Sequence, residues 1–399
     1  MKVYIVTGEP FPHGLAGTQR IRNYAKAIIA GGLDCEVIIY KRTENVNSPF
    51  FNRERIGNIE GVPFRYLAKS PKRHKNPIFR RCCDYIDLTR TKRFLQKNLQ
   101  PSDVLFFYMG APYRIILDLM KIAHRNNAYC VRDLCELPYG TGKDSIKATR
   151  YRNIILQQQF PALDGVISIS SALMNLAKSY TSQNCKHIKI PILVDYNNYS
   201  TNVSPNRYDK PFVFHSGTLY EQKDGIVGML KAYVMARKHL KCPLQFISTG
   251  NIDKSPHKDE ILNIILSNQL QDDVSFLGIL PQNELHDYLL KATLVIINKY
   301  DTQQNHYCFS TKLGEYSAAA KPLIITDIGE ASAYFEDGVS ALVVPERNVE
   351  EMAQAIVNLI QNPSQCMAIG RNAQDVCLSN FDYNIWSEPL VSFFLSLDK

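Results

Sequence analysis

Short apolar runs alternate with amphipathic stretches along the whole chain. The runs at residues 2–7, 35–40, 103–108, 129–133 and 164–169 read as strands covered on both faces, since a central parallel strand needs a nearly continuous apolar run. Residues 20–30, 114–126, 155–160 and 170–179 carry helical spacing between them, and 188–194 closes this half. The pattern restarts with strands at 212–215, 245–249, 274–277, 293–297, 323–325 and 341–344. Helical stretches at 226–239, 258–267, 283–291 and 349–361 separate them, followed by 366–378 and 383–397. Strands alternating with helices predict α/β units built on parallel sheets. Two doubly wound, Rossmann-like domains facing a central cleft are expected, over 1–200 and 205–380. A helix at about 380–399 packs back on the first. The polar stretch 195–211, rich in Asn, Ser and Pro, is the expected linker.

A chain of 399 residues exceeds one typical core and fits two. The net charge of +8 is unevenly spread: residues 1–200 hold 30 Lys and Arg against 15 Asp and Glu, and the remainder 16 against 23. Within the basic half, residues 69–97 hold ten cations against Asp84 and Asp87, interleaved with Phe79, Tyr85, Ile86 and Phe94. That stretch reads either as a solvated helical face or as a surface for anionic lipid or a lipid phosphate. No nucleic-acid-binding motif accompanies it. None of the ten cysteines forms a Cys-x-x-Cys pair, so reduced thiols of a cytoplasmic protein are expected rather than zinc or disulfides. Residues 3–6 are too short a run for a signal peptide. No apolar stretch approaches the ~20 residues of a membrane span.

Candidate chemistry centres on residues 307–326, which read as polar loop, helix and strand. Ser310 or Thr311 can cap the helix, whose positive end and free amides suit a phosphate. Glu315, about one turn on, lies where a carboxylate could hold sugar hydroxyls. Ligands of open parallel sheets bind beyond the carboxyl ends of the strands. The loops at 8–19, 133–141, 216–225, 250–251, 278–280 and 300–312 qualify. Lys223 and Lys312 offer cations beside the phosphate site, and no Asp-x-Asp follows a strand, so no metal or other cofactor is expected. Gly14 and Gly17 lack the G-x-G-x-x-G spacing of dinucleotide binding. Gly17 either lets a donor phosphate approach the backbone or serves a turn.

On these residues a family emerges. The second half resembles the nucleotide-sugar domain of retaining GT-B glycosyltransferases of the family-four type (glycosyl transferases group 1). The likeness runs through Gly217-x-x-x-x-x-Lys223-Asp-Gly225, Phe276-Leu-Gly-x-Leu-Pro281, Phe309-Ser-Thr-Lys-Leu-Gly-Glu315-Tyr, Lys321-Pro-Leu-Ile and Glu336-Asp-Gly-Val-Ser-Ala-Leu-Val-Val-Pro345. The first half is similar to the family's acceptor domain more loosely, at residues 10–30, 164–171 and 190–195. The resemblance implies metal-independent transfer of a sugar from a UDP- or GDP-linked donor to a glycan or lipid-linked acceptor, with retention. Surface polysaccharide or glycolipid assembly in the cytoplasm, or on the inner face of the membrane, is the implied setting. It further implies that Lys223 and the helix start at Ser310, Thr311 and Lys312 meet the diphosphate, Glu315 the ribose, and residues around Gly278 and Leu280 the base. Gly217 and Gly250 complete the donor loops.

Three positions depart from the pattern. Tyr307 stands where the family's first glutamate falls, with Asp301 nearby in sequence, and Thr218 replaces the donor-loop arginine. In the first half Cys135 occupies the place of a histidine near the reacting centre. Asp133 and Glu136 are candidates for positioning the acceptor hydroxyl, or pair with Arg132 or Lys143. A nucleotide-sugar epimerase of similar fold and a donor-binding subunit with decayed activity are the other classes that fit.

Overall fold

The computed structural model describes residues 1–45, 52–108, 113–138, 146–199 and 210–398. The chain divides into two compact units, Met1–Leu193 with Tyr383–Lys399, and Val194–Asp382. Residues 200–209 of the expected linker, 139–141 of the 133–141 loop and Lys143 lie outside the described residues.

The first unit holds strands β1 (Lys2–Thr7), β2 (Asp34–Ile39), β3 (Ile56–Ile59), β4 (Val62–Tyr66), β5 (Val104–Phe107), β6 (Tyr129–Leu134), β7 (Gly165–Ser168) and β8 (Lys186–Lys189). They form one sheet in the order β3-β4-β2-β1-β5-β6-β7-β8, parallel except that β3 runs against β4. Its helices are α1 (Ala16–Ala30), α2 (Pro77–Asn98), α3 (Tyr113–Arg125), α4 (Ile146–Gln158) and α5 (Ser171–Lys178). The β3–β4 hairpin is absent from the sequence pattern because it is half exposed and its strands are not continuously apolar. Its two-residue turn is Glu60-Gly61, both with positive φ (51° and 86°), the geometry of tight hairpins. Residues 190–194 lie beyond the end of β8 and do not extend it as a strand.

The second unit holds β9 (Phe212–His215), β10 (Gln245–Ser248), β11 (Val274–Phe276), β12 (Leu294–Ile297), β13 (Leu323–Thr326) and β14 (Leu342–Val344). The sheet is wholly parallel, in the order β11-β10-β9-β12-β13-β14. Its helices are α6 (Glu221–Asp224), α7 (Ile226–His239), α8 (Lys258–Ser267), α9 (Gln282–Lys291), α10 (Gln303–Tyr307), α11 (Thr311–Ala318), α12 (Val349–Gln361) and α13 (Pro363–Asn380). A polar loop was expected before residue 310, yet α10 forms there. The Thr302 hydroxyl accepts from the Asn305 amide at 3.1 Å and caps it. In each sheet the strand order reverses beside the unit's first strand, β1 or β9. Loops leaving these strands and their neighbours β5 and β12 border the crevice where ligands of such sheets bind.

α2 carries much of the basic stretch. Asn76 caps it through the amides of Ile78 and Phe79, and Pro77 opens it. Asp87 is fully buried and pairs with Arg42 (3.0 Å) and Arg90 (2.9 Å), and Lys92 pairs with Asp118. Ile78, Phe79, Tyr85 and Ile86 remain exposed. Among the described residues no helix is long and apolar enough to cross a membrane. All ten cysteines are free thiols.

After Asp382 the chain returns to the first unit as α14 (Ser387–Leu395). Leu390 and Phe394 are buried in the first unit's core, and Phe394 meets Phe106 edge-on with ring centres 6.0 Å apart. Contact with the end of α1 is close. A methyl on Gly31 would lie 2.5 Å from Val391 Cγ2 and 2.7 Å from the Ser387 carbonyl oxygen. Gly31→Ala should therefore lever α14 off α1 and cost about 1–3 kcal/mol. Urea unfolding and faster proteolysis after residue 382 check this.

Candidate functional site

At the carboxyl end of the second sheet, three glycine-bearing segments converge. Gly250 and Gly278 form an isolated bridge, with the Gly250 amide donating to the Gly278 carbonyl at 2.8 Å. Both have positive φ (97° and 71°), and a methyl on Gly250 would lie 2.5 Å from the Gly217 carbonyl oxygen. The Gly217 amide donates to the Thr249 hydroxyl at 3.1 Å. Gly217, Gly250 and Gly278 are thus brought together, with Leu280 part-exposed just beyond them. Behind Gly217 lies His215, 1% exposed. Its Nδ1 faces the Ile296 carbonyl at 3.2 Å, and its buried Nε2 has no partner among the described residues. Burial, then Lys312, pulls this imidazole down to about 3, so it is neutral.

Asp224 joins these segments to α11. Its carboxylate is 2% exposed. One oxygen accepts from the Thr218 amide (2.8 Å) and hydroxyl (2.7 Å), and the other pairs with Lys312 Nζ at 2.5 Å. Burial works against its charge, but Lys312 above all, and Lys299, hold the carboxyl well below its ordinary range. Lys312 is therefore engaged with a carboxylate, whereas Lys223 is exposed and has no ion pair among the described residues.

Two helix starts face this region, and they differ. At α7 the carboxylate of Glu221 accepts from the amides of Val227 (2.5 Å) and Gly228 (3.3 Å), so the chain's own anion fills that position. At α11, Ser310 occupies the capping position but its hydroxyl makes no cap bond, contrary to the expectation that Ser310 or Thr311 caps the helix. The first amides of any helix lack i−4 partners; at α11 the Leu313 amide turns back to the Ser310 carbonyl at 3.0 Å, which leaves those of Thr311 and Lys312 to an anion. Its position is fixed from two sides. Phe309 stacks on Tyr334 and meets Phe381 edge-on, at 5.2 and 5.7 Å. Tyr316, fully buried, accepts the Ser216 amide on its hydroxyl at 2.7 Å. Glu315 lies one turn into the helix, part-exposed, and burial pushes its carboxyl up to about 7 against the pull of Lys312. Tyr307 is the last residue of α10, and the Asp301 amide donates to Glu346 at 2.5 Å.

In the first unit the predicted residues separate. Gly17 lies in the first turn of α1, not in a loop, and a methyl there would meet Glu9 and Tyr108 at an ordinary 3.5 Å. Asp133 is 1% exposed. Its Oδ1 accepts from Tyr24 Oη (2.6 Å) and lies 3.3 Å from Arg20, itself bonded to the carbonyls of Ile190 and Pro191. It sits beneath the surface as an anchor, and Arg132 bonds Gln159 instead of it. Glu136 is part-exposed; burial raises the Glu9 carboxyl, Lys41 works against that rise and Glu136 adds to it. Sequence reasoning missed Glu9 and Lys299. Each follows a strand directly at a sheet's reversal point, the one signal that could have found it.

Among the described residues, one group has metal-ligand composition: His124, Cys130 and Asp164, with ligand atoms within 4.8 Å of one another. It lies at the amino ends of β6 and β7, opposite the edge that carries Glu136.

Residues 200–376 match the family model described as Glycosyl transferases group 1. This stretch, a little under half of the chain, is similar to that family. Its glycine-bearing loops and α11 fall inside the matched residues. Alpha-D-kanosaminyltransferase of Streptomyces kanamyceticus is 21% identical over 187 residues, 47% of this chain. The match spans 46% of that relative, less than half its length. Sucrose-phosphate synthase from Thermosynechococcus elongatus superposes with a TM-score of 0.72 at 15% identity, covering 100% of this chain and 99% of that one. Anabaena Alr3699/HepE, solved with UDP and glucose, gives 0.70 at 15% identity, covering 99% of each. The two parallel-sheet units are of the GT-B class.

Because Asp224 ties the 218 loop to α11, Asp224→Asn should cost about 3 kcal/mol at neutral pH, as breaking a buried pair does. A carboxyl depressed in the folded state contributes stability above its unfolded pKa, lost on acidification. The gap between wild type and variant should therefore narrow below pH of about 4 in urea titrations.

Proposed function

We propose that the chain transfers a sugar from a nucleoside-diphosphate donor to a glycan or lipid-linked acceptor, with retention and without a divalent metal. One observation carries this most strongly: an uncapped helix start, fixed from both sides, with lysines before it and a carboxylate one turn along it. The family match and the UDP seen in a similar solved structure support the same reading.

In this proposal the amides of α11 and Lys223 receive the diphosphate, and Gly217, Gly250, Gly278 and Leu280 border the nucleoside. Glu315 accepts from the ribose hydroxyls. As the bond from the anomeric carbon to the phosphate oxygen breaks, charge develops on the leaving diphosphate. Preorganised amides and ammonium groups stabilise that charge without reorienting solvent. Asp224 has both oxygens engaged, so charge compensation falls to lysines rather than to a carboxylate-bound metal. Glu136 and Glu9 are the first unit's candidates for receiving the acceptor proton.

Tyr307 favours a second reading, a donor-binding subunit without transfer. Nucleotide binding with neither transfer nor donor hydrolysis across an acceptor panel would select it.

For the leading reading, calorimetric titration with UDP and GDP should give binding that Glu315→Gln weakens about tenfold. A carboxyl titrating near 7 must lose its proton to accept two hydroxyls, so wild-type affinity should rise from pH 5.5 to 7.5. Glu315→Gln should flatten that rise. Binding of neither nucleotide would defeat the site assignment.

We further propose that α2 meets anionic membrane. Ile78 and Phe79 are 72% and 60% exposed beside Arg80 and Arg81, which make no ion pair among the described residues. Apolar side chains and cations together suit an anionic headgroup layer. Flotation with phosphatidylglycerol vesicles should exceed that with phosphatidylcholine and be lost in Arg80→Gln/Arg81→Gln/Arg93→Gln. Equal flotation on both lipids would leave α2 a solvated face.

A further inference from the structure

Lys299 follows β12 by two residues, beside the point where the second sheet reverses its strand order. Its backbone is held at both ends by one hydroxyl: the Lys299 amide donates to Thr326 Oγ1 at 2.7 Å, and that hydroxyl donates to the Lys299 carbonyl at 2.8 Å. The ammonium donates to the Lys223 carbonyl at 2.7 Å. Its side chain lines a cavity with Asn305, Cys308, Phe309 and Ser310, the residues that lead into α11. So Lys299 bonds the segment that carries Lys223 and shares a cavity with the residues that lead into α11.

The charge balance of this region is uneven. Lys223 and Lys312 both act on Lys299, with Asp224 the carboxylate among them. Asp224 neutralises one ammonium, and its oxygens are already committed to Lys312 and Thr218. Among the described residues, neither the Lys223 nor the Lys299 ammonium has an ion pair of its own. Burial first, then Lys312 and Lys223, pull the Lys299 ammonium down to about 8, while Asp224 and the Cys308 thiol act in the opposite sense. A surplus of this kind is stabilised by a ligand carrying two negative charges.

We propose that Lys299 is a third, unassigned cation of the diphosphate site, and that it rather than Lys312 joins Lys223 in holding the charged end of the nucleotide. This rests on the donor-site reading above. Lys312 then serves as a positioning residue, holding α11 to Asp224. Binding of the diphosphate keeps the Lys299 proton in place, so affinity must fall as pH rises through the region where the free ammonium titrates.

Calorimetric titration of the full chain with UDP and GDP, and with UMP and GMP, tests this. Lys299→Gln should weaken the diphosphate that binds wild type about tenfold or more, and its monophosphate by less than about threefold, the scale of a lost charged hydrogen bond. Lys241→Gln, an exposed lysine on a turn before β10, should change neither. Between pH 7.5 and 9.5, wild-type affinity for the diphosphate should fall. Lys299→Arg, which keeps its proton throughout, should retain binding and flatten the fall. Thermal melts establish that each variant folds, and the arginine variant decides the matter if the glutamine variant does not. Equal weakening of mono- and diphosphate, undiminished binding by Lys299→Gln, or an unchanged pH fall in Lys299→Arg would each overturn the proposal while leaving the donor site standing. Failure of wild type to bind either diphosphate would remove the donor-site reading and this inference with it.

Discussion

The arrangement at the carboxyl edge of the second sheet depends on one buried carboxylate. Asp224 accepts from Thr218 on one side and Lys312 on the other. A charge taken out of water must find partners of this quality or lose its proton. The geometry in turn fixes two segments that share no backbone hydrogen bond, the loop after β9 and the start of α11. Tyr316 adds a neutral tie between the same segments through Ser216. The site is thus held by side chains reaching across strand ends rather than by sheet pairing.

Parallel topology decides where such a site can lie. Each sheet's strand order reverses beside its first strand, leaving a gap that no crossover helix covers. In the second unit, His215, Gly217, Asn298 and Lys299 border that gap. In the first unit, Glu9 and Tyr108 do. The same topology explains why α7 and α11 differ although both start at this edge. Glu221 reaches the amides of α7, and among the described residues no carboxylate does so at α11.

Much of the fold was legible because central parallel strands are apolar on both faces. The runs at β1, β5, β9 and β12 therefore stand out without any periodicity analysis. β3 and β4 did not, since an edge hairpin alternates and half of its side chains face water. α10 was hidden because it is short and polar, with a threonine cap as its main signal. At the site, the Gly217 and Phe309–Glu315 stretches were legible from local chemistry. Lys299 and the engagement of Lys312 with Asp224 were not. Both depend on residues far apart in sequence, 88 positions in the case of the ion pair. Asp133 looked like a candidate catalytic group for the same reason. Nothing local announces that Arg20 and Tyr24 bury it.

The return of α14 to the first unit carries a consequence for how the protein is made. The two crossings run side by side, with the Val194 amide bonded to the Phe381 carbonyl at 2.8 Å and residues 194 and 382 forming a bridge. The second unit is one uninterrupted stretch of chain and can close as soon as it has been synthesised. The first cannot. Its core faces around Phe106 and the end of α1 wait for Leu390 and Phe394, which leave the ribosome after the whole second unit. During synthesis the N-terminal half is therefore the later of the two to be sealed, and the exposed apolar surface a chaperone would meet belongs to it.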